Sequence, residues 1–450
     1  MKNVSPLGAH YAKPPAPRRG LRALLLALLS LALIVASTAY FGVMRLQGNI
    51  QSSNVGDLLG RTTPDIVDPN AGRPVNILVL GSDVRRNADG SVVNNATVGG
   101  MRADTTMIVH ISSDRSRMIV ASIPRDLLVD IPSCTVRQSA TSTQTFTTKP
   151  QHRQMFNAAF ATGAQTSDIP SAAACTMKTV ESITQIHLDG YAVLEFNSFK
   201  TVVDSLNGVP MYFDHPVNDP SSNLNVPQGC ILLNGTQALA LARARHNIGD
   251  GSDVSRISRQ QQLVRSLVNE VLSKSLLTNV PSLYKVLDSA TRSLNISDNL
   301  SGLSTMAGLA QSLKNITGSQ LATVTAPFEA DPYDPNRLVL APNARELWNA
   351  IINDQAIIVT GGDTNGYGER VQIAPSTSQQ SATSTDGQHP AQSGASASGD
   401  QAQSSQSQGA QQGSNGARAQ SSPSSPSASH TKPPAVQATV TCTRQSARSV

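Results

Sequence analysis

The hydrophobic positions set one segment near the N-terminus apart from the rest of the chain. Residues 23–44 form an almost unbroken apolar run, interrupted only by small or weakly polar residues. Twenty-two helical residues, at about 1.5 Å of rise each, span about 33 Å, which is enough to cross the hydrocarbon core of a bilayer. We therefore predict a transmembrane helix over residues 23–44.

The polar residues around this run predict how the helix is oriented. Residues 1–22 carry five basic side chains and no acidic one. The positive-inside rule therefore leaves this segment in the cytoplasm and the chain after Arg45 outside the cell membrane. A cleaved signal peptide is the alternative, because residues 37–39 (Ser-Thr-Ala) resemble a small-residue cleavage site. The long basic segment and the full spanning length favour an uncleaved, single-pass anchor.

Farther along, short apolar runs alternate with helical periodicity. The apolar runs predict strands at residues 75–83, 107–111, 118–123, 191–195, 209–213 and 338–342. The periodicity predicts helices at residues 172–184, after Asn197 as N-cap, from the N-cap Asn234 to Arg243, after Ser255, and at residues 344–352. In the helix after Ser255 we expect a core face made of Val264, Leu267, Val268, Val271 and Leu272. This alternation predicts an α/β (α+β) sandwich in which helices flank a mixed central β-sheet.

Composition divides the chain into further segments. From residue 375 to residue 434 there is no Val, Ile, Leu, Phe, Tyr or Trp, so this stretch cannot bury enough apolar surface to offset its ordering entropy. We predict that residues 375–450 form a disordered tail that is dispensable for chemistry. Residues 45–74 are predicted to be a linker, residues 75–274 the main folded domain, and residues 275–360 a helix- and strand-containing extension of it.

Charge and motif content exclude several classes of protein. The net charge of +5 is modest and spread along the chain, and the few aromatic residues do not alternate with basic ones. A nucleic-acid partner is therefore not expected. No His-x-x-His or cysteine pair has zinc-ligand spacing, and neither G-x-S-x-G nor G-x-x-x-x-G-K-[ST] occurs. We read His187 and His246 as structural or surface residues.

Charged residues accompany three successive strand ends. Asp83 ends the first strand, Arg102 and Asp104 lead into the second, and Arg125 and Asp126 follow the third. One Arg–Asp pair beside a strand is usually a structural salt bridge, but three in succession favour a site. Two carboxylates from separate strands suit a divalent cation such as Mg²⁺, which accepts one or two carboxylates together with phosphate oxygens.

A stretch rich in arginine and glutamine, residues 241–262, faces these strand ends in our interpretation. Arg256 and Gln260 are four residues apart, which places them on one helical face, and Arg243 and Arg245 project the same way if the chain there is extended. Planar guanidinium groups that converge from two elements form a fork array for phosphate oxygens. A solvated basic face with surface salt bridges is the alternative.

The chain has four cysteines, and two of them suggest a disulfide. Cys134 and Cys175 flank a polar stretch, and a domain outside the cytoplasm permits a disulfide between them. Closing such a loop is worth about 4 kcal/mol in the chain-entropy model. Cys230 and Cys442 have no obvious partners, and we expect Cys442 to remain free or to pair between molecules.

Five spaced motifs resemble the LytR–CpsA–Psr family of envelope proteins. They are NILVLGSD, RADTTM, SIPRDLLVDIP, NSFKTVVDSLNGV and LARARHNIGDGSDVSRISRQQQ, in this order after one membrane helix. The resemblance covers residues 75–274. The Cys134/Cys175 pair and the RxRxxxGDGSD variant look like the actinobacterial branch of the family.

The resemblance implies a fold and an activity. The fold would be a central sheet between helices, with a long apolar pocket for a prenyl chain. The activity would be that of a phosphotransferase, which takes a glycopolymer from a polyprenyl-pyrophosphate carrier and joins it, through a phosphodiester, to a sugar hydroxyl of peptidoglycan. Its partners would be the lipid-linked glycopolymer, peptidoglycan and the membrane.

The resemblance also implies roles for individual residues. By motif position, Asp83 and Asp104 would hold Mg²⁺ (or Mn²⁺). The pyrophosphate would be bound by Arg102, Arg125, Arg243, Arg245, Arg256 and Gln260, of which the first four are the catalytic candidates. Asp104 or Asp126 could serve as the base, with metal ligation and an ion pair as their respective alternatives. The insertion at residues 85–100 leaves open how Asp83 and Asp104 meet.

Three other functions compete with this hypothesis. A polyprenyl-pyrophosphate hydrolase would use the same residues with water as the acceptor. A transcriptional regulator is disfavoured, because no helix-turn-helix pattern occurs and the predicted topology separates the folded domain from DNA. A non-catalytic wall-binding module would not need paired carboxylates beside an arginine array.

Overall fold

The computed structural model of the protein describes residues 19–62, 72–83, 101–244, 253–273, 276, 278–313, 316, 320–360, 370–373 and 442–449. The basic segment 1–18, the insertion 85–100, Arg245 and most of the predicted disordered tail lie outside the described residues.

A seven-stranded mixed sheet forms the centre of the fold, as predicted. In spatial order its strands are β1 (Gln51–Ser53), β14 (Leu294–Ser297), β9 (Gly190–Glu195), β2 (Val75–Ser82), β3 (Ala103–Ile111), β4 (Met118–Ile123) and β15 (Leu321–Thr325). The strands β2, β3 and β4 form an antiparallel meander, whereas β9 pairs with β2, and β15 with β4, in parallel.

Smaller sheets surround this one. A three-stranded sheet contains β10 (Val209–Phe213), β13 (Gly229–Leu233) and β20 (Arg448–Ser449). The two-stranded sheets are β5 (Leu128–Ile131) with β8 (Gln151–Met155), β6 (Thr135–Arg137) with β7 (Thr145–Thr147), β11 (Val217–Asp219) with β12 (Leu224–Val226), β16 (Phe328–Ala330) with β17 (Leu338–Leu340), and β18 (Ile357–Thr360) with β19 (Arg370–Ile373).

Helices surround the central sheet, apart from the long N-terminal helix, most of which is exposed. The helices are α1 (Arg19–Asn49), α2 (Gly56–Leu59), α3 (Ala158–Gly163), α4 (Ile169–Thr184), α5 (Phe196–Ser205), α6 (Gly235–Arg243), α7 (Asp253–Val271), α8 (Val280–Ser293), α9 (Leu303–Leu313) and α10 (Ala344–Ile352). Asn234 caps α6 in a capping box with Gln237, as its position predicted. The prediction of Asn197 as the cap of α5 was wrong, because β9 runs directly into α5 and Glu195 occupies the N-cap position.

Two apolar cores lie on opposite faces of the sheet. On one face, residues of α4 such as Met177 and Val180 pack with Leu78 and Ile108. On the other face, the cluster contains Val75, Met107, Val120, Leu309 and three residues of α7, which are Val264, Val268 and Leu272. A third cluster joins α5, α6 and α7 to the three-stranded sheet. Val271, expected on the core face of α7, is 37% exposed, because α7 packs into the apolar clusters through other residues, such as Leu263, Val264 and Val268.

The central sheet extends beyond the predicted domain of residues 75–274. The edge strand β1 comes from the predicted linker, and β14 and β15 come from the predicted extension. Residues 45–74 and 275–360 therefore contribute strands to the same sheet as the main domain. The three polar residues of β1 carry no hydrophobic pattern that could have identified a strand.

Helix α1 is a candidate membrane anchor. Its segment Ala23–Asn49 is long and apolar enough to cross a membrane, and its large apolar side chains from Leu24 to Met44 are exposed, whereas Leu46 is buried. The helix continues past the predicted end at residue 44 and reaches the folded domain. There the Arg45 and Asn49 side chains contact the Asp288 carboxylate of α8 at 3.4 and 3.0 Å.

All four cysteines are paired. Cys134 and Cys175 form a disulfide with Cα atoms 5.3 Å apart. Cys230 and Cys442 form a second one with Cα atoms 5.5 Å apart, so the expectation that Cys442 stays free or pairs between molecules was wrong. The cause is that residues 442–449 return to the folded domain, where β20 pairs with β13.

Candidate functional site

The first part of the site is a β-bulge between β2 and β3. Ser82 pairs with Ala103 and Gly81 pairs with Thr105, which leaves Asp104 as an extra residue in β3. Such bulges bend a strand and redirect a side chain, and they are frequent beside active sites. The Asp83 carboxylate accepts a hydrogen bond from the Arg102 backbone N–H at 3.4 Å. Asp83 and Asp104 therefore lie at the same end of the β2–β3 pair, although an insertion separates them in sequence.

Arg125 stands at the end of β4 between two carboxylates. Its Nη1 donates to Asp104 Oδ1 at 3.1 Å, and its Nε lies 3.5 Å from Asp126 Oδ2. The side chains of Arg125 and Asp104 are 17% and 32% exposed. These contacts hold the guanidinium at the strand end in a fixed orientation.

The buried face of α7 supplies the second part of the site. Arg256 and Gln260 are 4% and 7% exposed, and the neighbouring Arg259 is 9% exposed. The Gln260 amide donates to the Ala242 carbonyl at 3.0 Å, and Arg259 Nη2 donates to the Ala244 carbonyl at 2.7 Å. These carbonyl groups belong to the end of α6, where helices leave such groups without intrahelical partners. A solvated basic face does not describe this side of α7.

Arg243 occupies the last turn of α6. Its side chain is exposed, and its guanidinium lies over the Phe196 ring at 5.1 Å from the ring centroid, a cation–π arrangement. The predicted partner Arg245 lies outside the described residues.

A cavity of about 570 Å³ joins these parts. Predicted site residues from three separate motifs line it: Asp104, Arg125, Arg243, Arg256 and Gln260. Asp83 and Arg102 lie at the neighbouring strand end and are not among the lining residues. Four cationic side chains and one carboxylate line the cavity, which therefore attracts anions.

Sequence reasoning missed several lining residues. They are Thr105, Phe196, Lys200, Ser221, Ser222, Thr236, Leu239, Ala240 and Ala242. Phe196 and Lys200 are four residues apart on α5 and so share a face, a spacing that becomes visible only when the motif NSFKTVV is read together with the Phe196 that precedes it. The serines of the β11–β12 turn gave no signal, because serine is common throughout this chain.

Gly235 sets the distance between α5 and α6 at the cavity. A Cβ atom at this position would lie 2.2 Å from the Lys200 backbone oxygen, so only glycine permits this approach. The Gly235 N–H also donates to the Asp204 carboxylate at 2.7 Å. The first turn of α6 is thereby fixed against the part of α5 that carries Lys200.

A second polar cluster lies at the opposite end of β3. His110 is buried, its Nδ1 is 2.8 Å from Asn76 Oδ1, and its Nε2 is 3.2 Å from Asp354 Oδ1. Burial lowers the pKa of His110, although the Asp354 carboxylate opposes this effect. Arg117 Nη2 pairs with the same carboxylate at 2.8 Å. Six residues of strand separate His110 from Asp104, or about 20 Å, so this cluster is not part of the cavity.

Within the described part of the chain, the strand ends at the bulge offer two carboxylates and not a complete set of protein ligands for a metal ion. Among the described residues, no group of three or more His, Cys, Asp or Glu side chains could hold a metal ion. Asp83 and Asp104 offer two carboxylates at adjoining strand ends. This set suits Mg²⁺, which keeps several waters and completes its shell with phosphate oxygens.

Comparisons with known proteins point to one family. The model of the LytR_cpsA_psr family matches residues 42–352. Cell wall biosynthesis protein LcpA of Corynebacterium glutamicum is 30% identical over 319 residues, which are 66% of this chain and 58% of that protein. The polyisoprenyl-teichoic acid–peptidoglycan teichoic acid transferase TagV of Bacillus subtilis is 28% identical over 234 residues, which are 51% of this chain and 50% of that protein.

The matches thus span between half and three-fifths of the length of these relatives. Among solved structures, the LytR-Csp2A-Psr enzyme from Actinomyces oris is 18% identical, with a TM-score of 0.46, and the match covers 72% of this chain and 99% of that one.

Proposed function

This chain belongs to the LytR–CpsA–Psr family, and from that premise we propose that it transfers a glycopolymer from a polyprenyl-pyrophosphate carrier to a sugar hydroxyl of peptidoglycan. The names of two relatives support a role in cell-wall synthesis, since one is a cell wall biosynthesis protein and the other a teichoic acid transferase. The observation that carries the proposal is the cavity. It is lined by the Asp104 carboxylate at the bulge and by cationic side chains from the end of β4 and from α5, α6 and α7.

The charges of the cavity suit a pyrophosphate diester. Guanidinium groups match pairs of phosphate oxygens with two parallel hydrogen bonds, and lysine adds a point charge. Arg256 is almost fully buried, so its interaction with a phosphate would be screened little by water. The apolar side chains of Phe196 and Leu239 line the same cavity, and we place the start of the prenyl chain against them.

The proposed reaction is a displacement at phosphorus. The acceptor hydroxyl oxygen forms a bond to the phosphorus that carries the glycopolymer, and the bond from this phosphorus to the bridging oxygen breaks. The products are a phosphodiester on peptidoglycan and polyprenyl monophosphate, and the hydroxyl proton leaves for a base. Negative charge grows on the departing phosphate, so positioned arginines lower the barrier by electrostatic stabilisation.

The residues in and beside the cavity would have different roles in this reaction. Arg125 is oriented by Asp104 and Asp126, so it needs little rearrangement to meet the departing phosphate. Arg256 and Arg243 would hold the remaining phosphate oxygens from the opposite wall, with Gln260 fixing α7 to the end of α6. The Asp126 carboxylate is the candidate base if Asp104 serves a metal.

Asp83 and Asp104 are the residues that would hold Mg²⁺ or Mn²⁺. When bound, the ion would neutralise phosphate charge and polarise the phosphoryl group. Asp104 lines the cavity and is partly exposed, which leaves its carboxylate accessible to such an ion.

The proposal also places the enzyme at the outer face of the cell membrane. The exposed apolar helix α1 would anchor it beside the lipid carrier, with the N-terminus in the cytoplasm. Two disulfides among the described residues support this location, because disulfides persist mainly in oxidising compartments.

A transfer assay tests the proposal. The full chain in detergent is incubated with a prenyl-pyrophosphate-linked disaccharide and Mg²⁺, with or without peptidoglycan glycan strands, and the products are identified by mass spectrometry. We expect phosphodiester-linked disaccharide on the strands and an equal amount of prenyl monophosphate. Equal release of prenyl monophosphate without strands would identify a hydrolase instead. Binding of the donor with no products would identify a wall-binding module.

A further inference from the structure

The C-terminal segment, residues 442–449, is attached to the folded domain at three points. The Cys230–Cys442 disulfide ties its first residue to β13, although the two cysteines are 212 residues apart in sequence. Its end, β20, pairs in parallel with β13. Between these points, a turn closed by the Ser446 N–H and the Thr443 carbonyl directs Arg444 toward the helices.

Arg444 uses its whole guanidinium group in this contact. Nη2 donates to the carbonyl oxygens of Leu206 and Gly208, both at 2.8 Å, and Nη1 donates to the carbonyl of Asn207 at 3.1 Å. Nε donates to the Glu270 carboxylate at 2.9 Å. One side chain therefore connects the end of α5 to α7.

Arg444 contacts the carbonyl of Leu206, the C-cap residue of α5, and the carbonyls of the two residues that follow it. The last carbonyls of a helix lack intrahelical donors, and the negative end of the helix dipole favours a cation there. Asn207 and Gly208 follow the helix with positive φ values of 58° and 96°, a left-handed termination in which the Gly208 N–H donates to the Val203 carbonyl at 3.0 Å. Arg444 thus adds side-chain donors and a positive charge at the C-terminal end of α5.

Both helices joined in this way also line the cavity at their other ends. Phe196 and Lys200 belong to the first half of α5, and Arg256 and Gln260 belong to the first half of α7. Glu270 is fourteen residues beyond Arg256, about 21 Å along the helix axis. Arg444 therefore touches neither the cavity nor anything bound there, and any effect must pass through the helices.

We propose that residues 442–449 form a clamp in which Arg444 positions α5 and α7 for pyrophosphate binding. Arg444 is a positioning residue, and the Cys230–Cys442 disulfide holds it in place. The proposal rests on the proposed function only in its choice of ligand. It predicts, against the sequence-based expectation, that the chain after residue 375 is not dispensable, since truncation there would remove the clamp.

The test compares three forms of the full chain with the wild type. Arg444→Ala removes the contact, and the double variant Cys230→Ser/Cys442→Ser releases the segment while the Cys134–Cys175 disulfide remains. Arg345→Ala removes an exposed arginine of α10 and serves as the matched control. Binding of geranylgeranyl pyrophosphate is measured by calorimetry, hydrogen exchange is measured without ligand, and urea unfolding shows that each form is folded.

We expect both clamp variants to bind geranylgeranyl pyrophosphate about tenfold more weakly, within the range for contacts that act on a distant site. We also expect faster amide exchange at the end of α5 and in its turn around Lys200, with Arg345→Ala unchanged. Clamp variants that lose stability in urea but bind the probe normally would overturn the proposal, as would unchanged exchange around Lys200. Because exchange and binding need no acceptor, the clamp can hold even if the wild type proves to transfer nothing.

Discussion

Replacing Arg256 with lysine tests whether the cavity holds phosphate through guanidinium groups. Arg256 is 4% exposed, lines the cavity and lies one helical turn before Gln260. Lysine keeps the positive charge and the approximate length of the side chain. It loses the planar pair of donors that matches two phosphate oxygens.

The burial of Arg256 sets the expected magnitude. Losing one positioned donor to developing charge in a desolvated site costs about 3–4 kcal/mol, or about 10²–10³ in rate. An exposed ion pair at the same position would be worth less than about 1 kcal/mol, or about fivefold. The two alternatives differ enough for a steady-state assay to separate them.

The assay measures kcat/KM for transfer from the prenyl-pyrophosphate donor. Arg265→Lys is the matched control, because Arg265 lies on the same helix but is exposed and bonds only Thr323 Oγ1 among the contacts described, at 2.9 Å. We expect the control to stay within about fivefold of the wild type. Urea unfolding of both variants shows whether a loss of rate reflects a loss of folded protein.

Full activity and unchanged donor affinity in Arg256→Lys would refute the reasoning. That result would mean that the buried guanidinium serves the packing of α7 and that phosphate is bound elsewhere.

Three further predictions concern other parts of the molecule. Asp104→Asn should lower the transfer rate and raise the Mg²⁺ concentration needed for half-maximal activity; a lower rate with the same Mg²⁺ dependence would argue against metal ligation. Gly235→Ala should destabilise the protein by about 1–3 kcal/mol in thermal unfolding, because the new Cβ would lie 2.2 Å from a backbone oxygen, whereas Gly48→Ala, with nothing within 4 Å, should not. The pKa of His110 is lowered from 6.5 by burial, so the unfolded chain binds a proton that the folded one excludes, and the free energy of unfolding should fall as the pH drops below about 6.5. Urea titrations at pH 7.5 and about 5.5 should show this fall in the wild type and less of it in His110→Gln, and equal pH dependence in the two would contradict the assignment.

Local sequence patterns predicted those helices and strands whose own residues show an apolar run, a periodicity or an N-cap residue. The apolar run of α1, the strand β10 at Val209–Phe213 and the capped helix α6 were all visible in the sequence, because periodicity, length and capping act over a few residues. The motifs likewise identified side chains that converge on one cavity, including Arg256 and Gln260. Spacing along one helix sufficed for that pair.

Other features depend on contacts between segments that are far apart in the chain. Nothing in the residues Gln-Ser-Ser of β1 marks a strand. They form one because they pair with the edge of β14, which lies about 240 residues farther along the chain. Lys200 enters the cavity because Gly235 lets α6 approach the backbone of α5. The pairing of Cys442 with Cys230 follows from where Arg444 and β20 dock.

The sequence by itself therefore determined the long apolar helix α1, the strands β2, β3, β4, β9, β10 and β17, several of the helices, and the residue types of the candidate site. The tertiary structure alone decided the sheet edges, the bulge at Asp104, the second disulfide and the docking of residues 442–449 on the folded domain. The physical reason is that propensity and periodicity reflect interactions between residues that are near each other in the chain. The partner of a strand edge, a helix end or a thiol depends instead on how the whole chain packs.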